Sequence, residues 1–150
     1  MKPINKPILT FQAVLILALM LAAQMVLATS HEGPANKLVI QVSTSDEVTQ
    51  KIALNNAVNL QKEYGQDNIA IEVVAYGPGL SLLTDKSTQK QRVASLAMQD
   101  ITFSACGNTM KNIAKKTGAE PVLIDGVQVV SAGVKRIMEL QQQGYAYIRP

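Results

Sequence analysis

The chain has 150 residues, 14 basic against 11 acidic side chains, one cysteine and one histidine. A single cysteine excludes an intramolecular disulfide and a thioredoxin-like dithiol, and a single histidine excludes a metal site rich in histidine or cysteine. Without Lys2 and Lys6, which precede a long uncharged run, the 14 basic residues fall to 12 and the balance is nearly neutral. A near-neutral chain gives no reason to expect nucleic acid or an anionic membrane as its partner.

The N-terminal segment has the layout of a secretory signal peptide. Lys2 and Lys6 form a basic start, an apolar run follows, and VLA at 26–28 offers modest or small residues where a signal peptidase would cut. We therefore predict that residues 1–28 are a cleaved leader, that residues 29–36 are a flexible lead-in, and that the protein is exported to the periplasm. An uncleaved membrane anchor is the alternative, because the uncharged run is long enough to span a bilayer.

The first strand and helix follow the lead-in. The run KLVIQVS at 37–43 predicts a strand covered on both faces, because its apolar residues are continuous. Residues 43–46 offer helix N-caps and Gly65 offers a C-cap. Between these caps an apolar stripe with helical spacing predicts a helix. The members of that stripe are Ala53, Ala57, Leu60 and Tyr64.

The strand–helix alternation then repeats. NIAIEVVAYG at 68–77 predicts the second strand, and the Gly-Pro-Gly turn at 77–79 ends it. This turn lacks the third glycine and the acidic follower of a dinucleotide fingerprint, so we interpret it as a turn only. A short helical turn at 80–83 and a helix within 88–99 lead to the third strand at 101–105, after which another helix is closed by Gly118.

The C-terminal third is ambiguous at one point. VLIDGVQVV at 122–130 contains the Asp-Gly signal of a hairpin, yet it could equally be a loop leading into a single strand at 127–130. A helix with an apolar stripe of Val134, Ile137 and Met138, and then a short strand at 146–148, complete the chain. Strands alternating with helices of this length predict one α/β domain, a three-layer α/β/α sandwich with a mostly parallel sheet of about five strands.

Cys106 is the candidate reactive residue. It follows the third predicted strand and precedes a helix, at the sheet edge where ligands collect in open α/β folds. Helix N-termini favour anions, so this position should hold the thiol pKa below its free value of roughly 8.5. Gly107 leaves the turn uncrowded, and Asn108 and Thr109 could donate hydrogen bonds to the sulfur. The alternative is an inert, buried cysteine, which is common for this residue type.

Other catalytic arrangements find no support in the sequence. A cysteine hydrolase needs a base beside its thiol, and the sole histidine, His31, lies in the lead-in. Glu72 and Asp100 flank strands without a visible partner, and we interpret both as solvated edge positions. No metal site and no cofactor is predicted.

Three stretches together resemble the DsrE/DsrF-like family: VVAYGPGLSLL, ITFSACGNTM and VVSAGVKRIMELQQQGYAYIRP. The resemblance covers residues 37–150. It implies an α/β sandwich that assembles into oligomers, commonly trimers or hexamers. It also implies that one cysteine accepts sulfur as a persulfide and passes it to a partner, and the motif assigns that role to Cys106.

Together these observations predict an exported sulfur carrier that uses the thiolate of Cys106, with sulfur donor and acceptor proteins as partners. The residues expected around the transferred sulfur are Gly77, Gly79, Gly107, Asn108 and Thr109. Two alternatives remain. One is a non-catalytic, oligomeric module that binds a small ligand or a partner and has a silent cysteine. The other is a redox sensor in which Cys106 pairs between subunits.

Overall fold

A single five-stranded sheet organises the fold in the computed structural model, which describes residues 33–150. The strands are β1 (Asn36–Val42), β2 (Ile69–Ala75), β3 (Ile101–Cys106), β4 (Val127–Val130) and β5 (Ala146–Ile148). Their order across the sheet is β4-β3-β2-β1-β5, and all neighbouring strands are parallel. The predicted leader or anchor at 1–28, and His31 in the lead-in, lie outside the described residues.

Four α-helices connect these strands. They are α1 (Glu47–Tyr64), α2 (Lys90–Ala97), α3 (Gly107–Thr117) and α4 (Gly133–Gln142), and a 3-10 segment occupies Gly77–Leu83. The caps predicted for α1 are present, since the Asp46 carboxylate accepts from the Thr49 amide at 2.7 Å and Gly65 ends the helix. In residues 33–150 no helix is both long and apolar enough to cross a membrane.

The two faces of the sheet are covered unequally, in the predicted three layers. Side chains from α1, α2, α3 and the 3-10 segment pack with alternate strand residues into the main core, which includes Leu54, Leu80 and Phe103. Among residues 33–150, the other face is covered by α4, with a small cluster of Val39, Val74, Ile137 and Leu140. The apolar residues of β1 are continuous because Leu38 and Ile40 face the main core while Val39 faces α4.

Two predicted apolar stripes are partly wrong. In α1, Leu54 is buried but Tyr64 is 44% exposed. In α4, Ile137 is buried, whereas Val134 and Met138 are more than half exposed. The helix instead turns Gly133, Ile137 and Leu140 toward the sheet. Both sets have helical spacing, so only the packing of α4 against the strands determines which set is covered.

The ambiguous segment at 122–130 is a loop followed by one strand, and the hairpin alternative is wrong. Leu123 forms an antiparallel bridge with Thr84, and the Ile124 amide donates to the Leu83 carbonyl at 3.0 Å. These contacts pair the apolar run before Asp-Gly with the end of the 3-10 segment. β4 is therefore free to pair with β3 in parallel.

Candidate functional site

Cys106 lies at the carboxyl edge of the sheet, as the sequence predicted. It is the last residue of β3, where it pairs with Val130 of β4, and it is also the N-cap of α3. Only 5% of the residue is exposed, but it belongs to neither apolar cluster described above. The sulfur therefore lies just below the surface at the edge of the sheet, outside the main core.

Two helix N-termini converge on this sulfur. Burial is the largest influence on the Cys106 thiol and by itself raises the pKa, but hydrogen bonds outweigh it, so the net pKa is lowered from the usual 9.0. The strongest donor is the Thr109 hydroxyl, followed by main-chain N–H groups of Gly133, Thr109 and Asn108. Gly133 begins α4, and Asn108 and Thr109 lie in the first turn of α3. The arrangement favours the thiolate, the nucleophilic form of cysteine.

The Cys106 side chain makes no capping hydrogen bond of normal geometry to α3 within the described chain. The neighbouring donors still lower its pKa, because a donor stabilises the charged thiolate more than the neutral thiol.

Thr109 connects Cys106 to the loop after β2. Its hydroxyl oxygen accepts a hydrogen bond from the Gly77 amide at 2.9 Å. A threonine hydroxyl has one proton to donate. Because the proton of the Gly77 hydrogen bond comes from the Gly77 amide, the hydroxyl proton of Thr109 remains available for the sulfur of Cys106. Gly77 has a φ of 54°, a left-handed conformation that suits glycine and turns its amide toward Thr109.

Gly107 and Asn108 lie beside the sulfur but also have clear structural roles. A Cβ on Gly107 would lie 3.1 Å from the Val130 carbonyl oxygen, so this position requires a small residue where α3 passes β4. The Asn108 amide donates to the Ser131 carbonyl at 3.3 Å, while the residue as a whole is exposed. Among the donors to Cys106, this amide lowers the pKa least.

Gly79 is placed away from this group. It is buried, and a Cβ there would lie 2.2 Å from the carbonyl oxygen of Val42 and 2.8 Å from the Cα of Ser43. Its role in the structure is to let the 3-10 segment cross the end of β1. The structure therefore brings together Gly77, Cys106, Gly107, Asn108 and Thr109, whereas Gly79 is packed against the end of β1.

Gly133 is a further residue of the site that was not predicted from the sequence. A Cβ on this residue would lie 3.0 Å from Cδ1 of the Tyr76 ring, so a larger residue would force this ring to move as α4 begins. The Gly133 amide is a donor to Cys106. The signal in the sequence was a glycine immediately before a helical stripe, which can mark a close approach as well as a helix start.

Glu72 is buried and paired, so its interpretation as a solvated edge residue is wrong. The residue is only 3% exposed, and Arg136 of α4 forms two hydrogen bonds with its carboxylate. Glu72 points to the α4 face, where a partner 64 residues later in the chain covers it. Asp100 is exposed, as expected, although Gln66 donates a hydrogen bond to its carboxylate.

A groove of about 590 Å³ lies next to the site, between the 3-10 segment and α3. Thr109 and Gly77 form the end of the groove nearest to Cys106, and Lys86 and Lys116 also line it. Cys106 itself is not among the residues that line the groove, whereas Thr109, a donor to its sulfur, is. Among residues 33–150, no group of three or more potential side-chain ligands could hold a metal ion.

Fold and site together describe an α/β protein with a single activated thiol at the carboxyl edge of a parallel sheet. The model of the DsrE/DsrF-like family matches residues 36–150, and the chain belongs to this family. A protein of unknown function from Methanobacterium thermoautotrophicum has a similar solved structure, with 34% sequence identity and a TM-score of 0.69. The similarity covers 77% of this chain and 99% of that one. No curated protein matches the chain.

Proposed function

We propose that the protein is a sulfur carrier of the sulfur-relay type and that it holds sulfur as a persulfide on Cys106. Membership of the DsrE/DsrF-like family suggests a relay role, and the observation that supports this site best is the lowered pKa of Cys106 between two helix N-termini. A carrier needs a thiolate at the working pH and needs no separate base. The proposal is supported by the hydrogen bonds that lower the pKa of Cys106, all of which come from uncharged groups.

The transfer chemistry balances without an added oxidant. The Cys106 thiolate attacks the terminal sulfur of a donor persulfide, forming a new S–S bond as the S–S bond of the donor breaks. The donor leaves as a thiolate, and Cys106 carries the transferred sulfur. An acceptor thiolate then attacks that terminal sulfur, and Cys106 leaves as the thiolate that the amides of Thr109 and Gly133 stabilise.

The proposal includes export and assembly. The basic start and apolar run at the N-terminus support a periplasmic carrier, whose sulfur donors and acceptors would lie outside the cytoplasm. The family resemblance supports a homo-oligomer. A redox sensor that joins two copies through Cys106 is less well supported, because two sulfurs in residues that are each 5% exposed would have to be uncovered at once, whereas a carrier needs only one to be reached.

Binding of a small ligand is a second candidate function, and the groove beside Thr109 is the observation that favours it. Its volume is in the range of small-molecule sites, and two lysines would favour an anion. In this alternative Cys106 would be silent, in keeping with its low exposure.

Intact-mass measurement on the folded protein after treatment with polysulfide tests the carrier. We expect an added mass of one sulfur atom, no addition in Cys106→Ser, and loss of the addition when a small thiol is supplied. The thiol step is essential because two oxygen atoms weigh nearly the same as one sulfur. A sulfinic acid would survive the thiol, whereas a persulfide would not.

Two results would contradict the carrier. One is a native protein that remains unmodified, while the unfolded protein reacts. The other is an addition that persists in Cys106→Ser. Either result would leave ligand binding in the groove as the better supported function.

A further inference from the structure

A buried ion pair connects the sheet to α4 on the face that Cys106 shares. Arg136 donates from Nε to Oε1 of Glu72 at 2.8 Å and from Nη2 to Oε2 at 2.6 Å. The Glu72 side chain is 4% exposed and that of Arg136 is 28% exposed. Two parallel hydrogen bonds hold the guanidinium in one orientation, which a single contact would not do.

The pair is also bonded to the strand that ends in Cys106. The Ser104 hydroxyl donates to Oε1 of Glu72 at 2.6 Å, and Gln128 of β4 donates to the Ser104 oxygen at 2.9 Å. Ser104 precedes Cys106 by two residues, so both side chains point to the same face of β3. One hydrogen-bonded chain therefore runs from β4 through β3 and β2 to α4.

Arg136 lies one helical turn after Gly133, the residue whose amide acts on Cys106. Residues three apart lie on the same side of a helix, and here that side faces the sheet. Otherwise α4 is held by a small apolar cluster that includes Ile137 and Leu140. Apolar contacts resist separation but leave sliding and rotation easier than two directed hydrogen bonds do.

We infer that Glu72 and Arg136 are positioning residues, which hold the N-terminus of α4 against Cys106 and so keep the Gly133 amide in place as a donor to the sulfur. This inference deepens the proposed function, because the donor in question stabilises the thiolate that carries sulfur. It assigns a role to a buried pair that touches neither the sulfur nor any transferred group.

The pair could instead act on Cys106 through its charges, so the experiment must separate this charge effect from the positioning of α4. None of the charged or titratable groups on this face is among the groups that shift the pKa of Cys106. These groups include Glu72, Arg136, Lys37, Tyr76, Tyr145 and Tyr147. A double replacement, Glu72→Gln with Arg136→Met, removes the pair without changing the net charge. It leaves a polar amide at position 72 that can still accept from Ser104.

The matched control lies on the same helix. Lys135 and Glu139 form an exposed ion pair at 2.9 Å, with side chains 67% and 39% exposed. Lys135→Met with Glu139→Gln also removes one ion pair at constant net charge, but it does not touch the sheet. This control therefore isolates the connection to Glu72 from the loss of any ion pair on α4.

The measurement is the pH profile of alkylation of Cys106 by a small reagent in the folded proteins. The midpoint of the profile reports ionisation, whereas its plateau reports access to the sulfur. We expect the midpoint of the Glu72→Gln/Arg136→Met variant to move to higher pH. Near neutral pH, the alkylation rate divided by the plateau rate should be about fivefold lower than in the wild type, because losing one typical hydrogen bond to the thiolate has an effect of this size. The control pair should leave the midpoint unchanged.

A midpoint equal to that of the wild type, or an equal shift in the control, would overturn the inference. Should the double variant not fold, Arg136→Lys serves instead, because it keeps the charge but cannot form both bonds. It should move the midpoint in the same direction. Polysulfide uptake by the wild type is measured separately. If the variant shifts the midpoint but the wild type takes up no sulfur, the proposed carrier function is wrong and the positioning role of Glu72 and Arg136 still holds.

Discussion

The hydroxyl oxygen of Thr109 accepts a hydrogen bond from the amide of Gly77 at 2.9 Å, and the same hydroxyl is the strongest donor to the sulfur of Cys106. The turn after β2 and the first turn of α3 therefore meet at one side chain. Thr109 also lines the neighbouring groove. Of the hydrogen-bond donors around the thiol, it lowers the pKa of Cys106 most.

Replacing Thr109 tests this relationship. Thr109→Val keeps the shape but removes the donor to the sulfur and the acceptor for Gly77, so the Cys106 pKa should rise. The free energy of unfolding should fall by about 1–3 kcal/mol, because the half-buried Gly77 amide loses its partner. Thr109→Ser, which keeps the hydroxyl, is the control and should stay close to wild type. Alkylation profiles and urea unfolding measure the two effects, and equal behaviour of Val and Ser would contradict the role of the hydroxyl.

The two glycines of the turn at 77–79 should respond differently to alanine. Gly79→Ala places a Cβ 2.2 Å from the Val42 carbonyl oxygen, so the main chain must shift and stability should fall by about 3 kcal/mol. In Gly77→Ala the new Cβ has no atom within 4 Å, so only the φ of 54° is unfavourable. The free energy of unfolding should fall by about 1 kcal/mol. Urea unfolding of both variants decides the order, and a larger loss in Gly77→Ala would show that the turn is packed differently.

The ionisation of Cys106 should make stability depend on pH. Because the folded pKa lies below the usual 9.0, the unfolded chain binds more protons between these two values. Stability conferred by the thiolate is therefore fully present above the unfolded pKa and lost as pH falls through the folded one. We expect the stability of the wild type relative to Cys106→Ser to rise with pH up to about 9. Urea midpoints of both proteins under reducing conditions give this difference, and a fall with pH would indicate a raised pKa.

Exposed apolar side chains on α4 offer a test of assembly. Val134 and Met138 lie one turn apart on this helix and are 55% and 57% exposed. We predict a homo-oligomer, a trimer or a hexamer, and expect Val134→Lys to weaken it by placing a charge on this surface. Val48→Lys is the control, because Val48 is 64% exposed on α1, across the sheet. Light scattering that shows a monomeric wild type would reject the prediction.

Export is tested on the native protein. We expect a mature chain that begins near Thr29 and is released with the periplasmic fraction, because the basic start and apolar run precede VLA at 26–28. N-terminal sequencing of that fraction gives the answer. A chain that retains Met1 and sediments with the membranes would support the anchor instead.

Much of the fold could be predicted because its signals are local. The continuous apolar run at 38–40 indicated a strand covered on both sides, and Gly65 and Gly118 marked helix ends where the structure has them. The position of Cys106 was predictable for the same reason, since it directly follows a strand and precedes a helix. The side of α4 that is buried was not predictable, because two sets of residues in it have the same helical spacing.

The sequence by itself determined the order of the elements and the placement of one thiol between a strand and a helix, because each depends on residues that are neighbours in the chain. The alternation of strands with helices also indicated a mostly parallel sheet. Only the tertiary structure decided what surrounds that thiol. The Gly133 amide and the Gly77–Thr109 contact come from segments about 30 residues away in sequence, and the pair of Glu72 and Arg136 joins residues 64 apart. No local pattern encodes such contacts, because they exist only when the strands and α4 pack against one another.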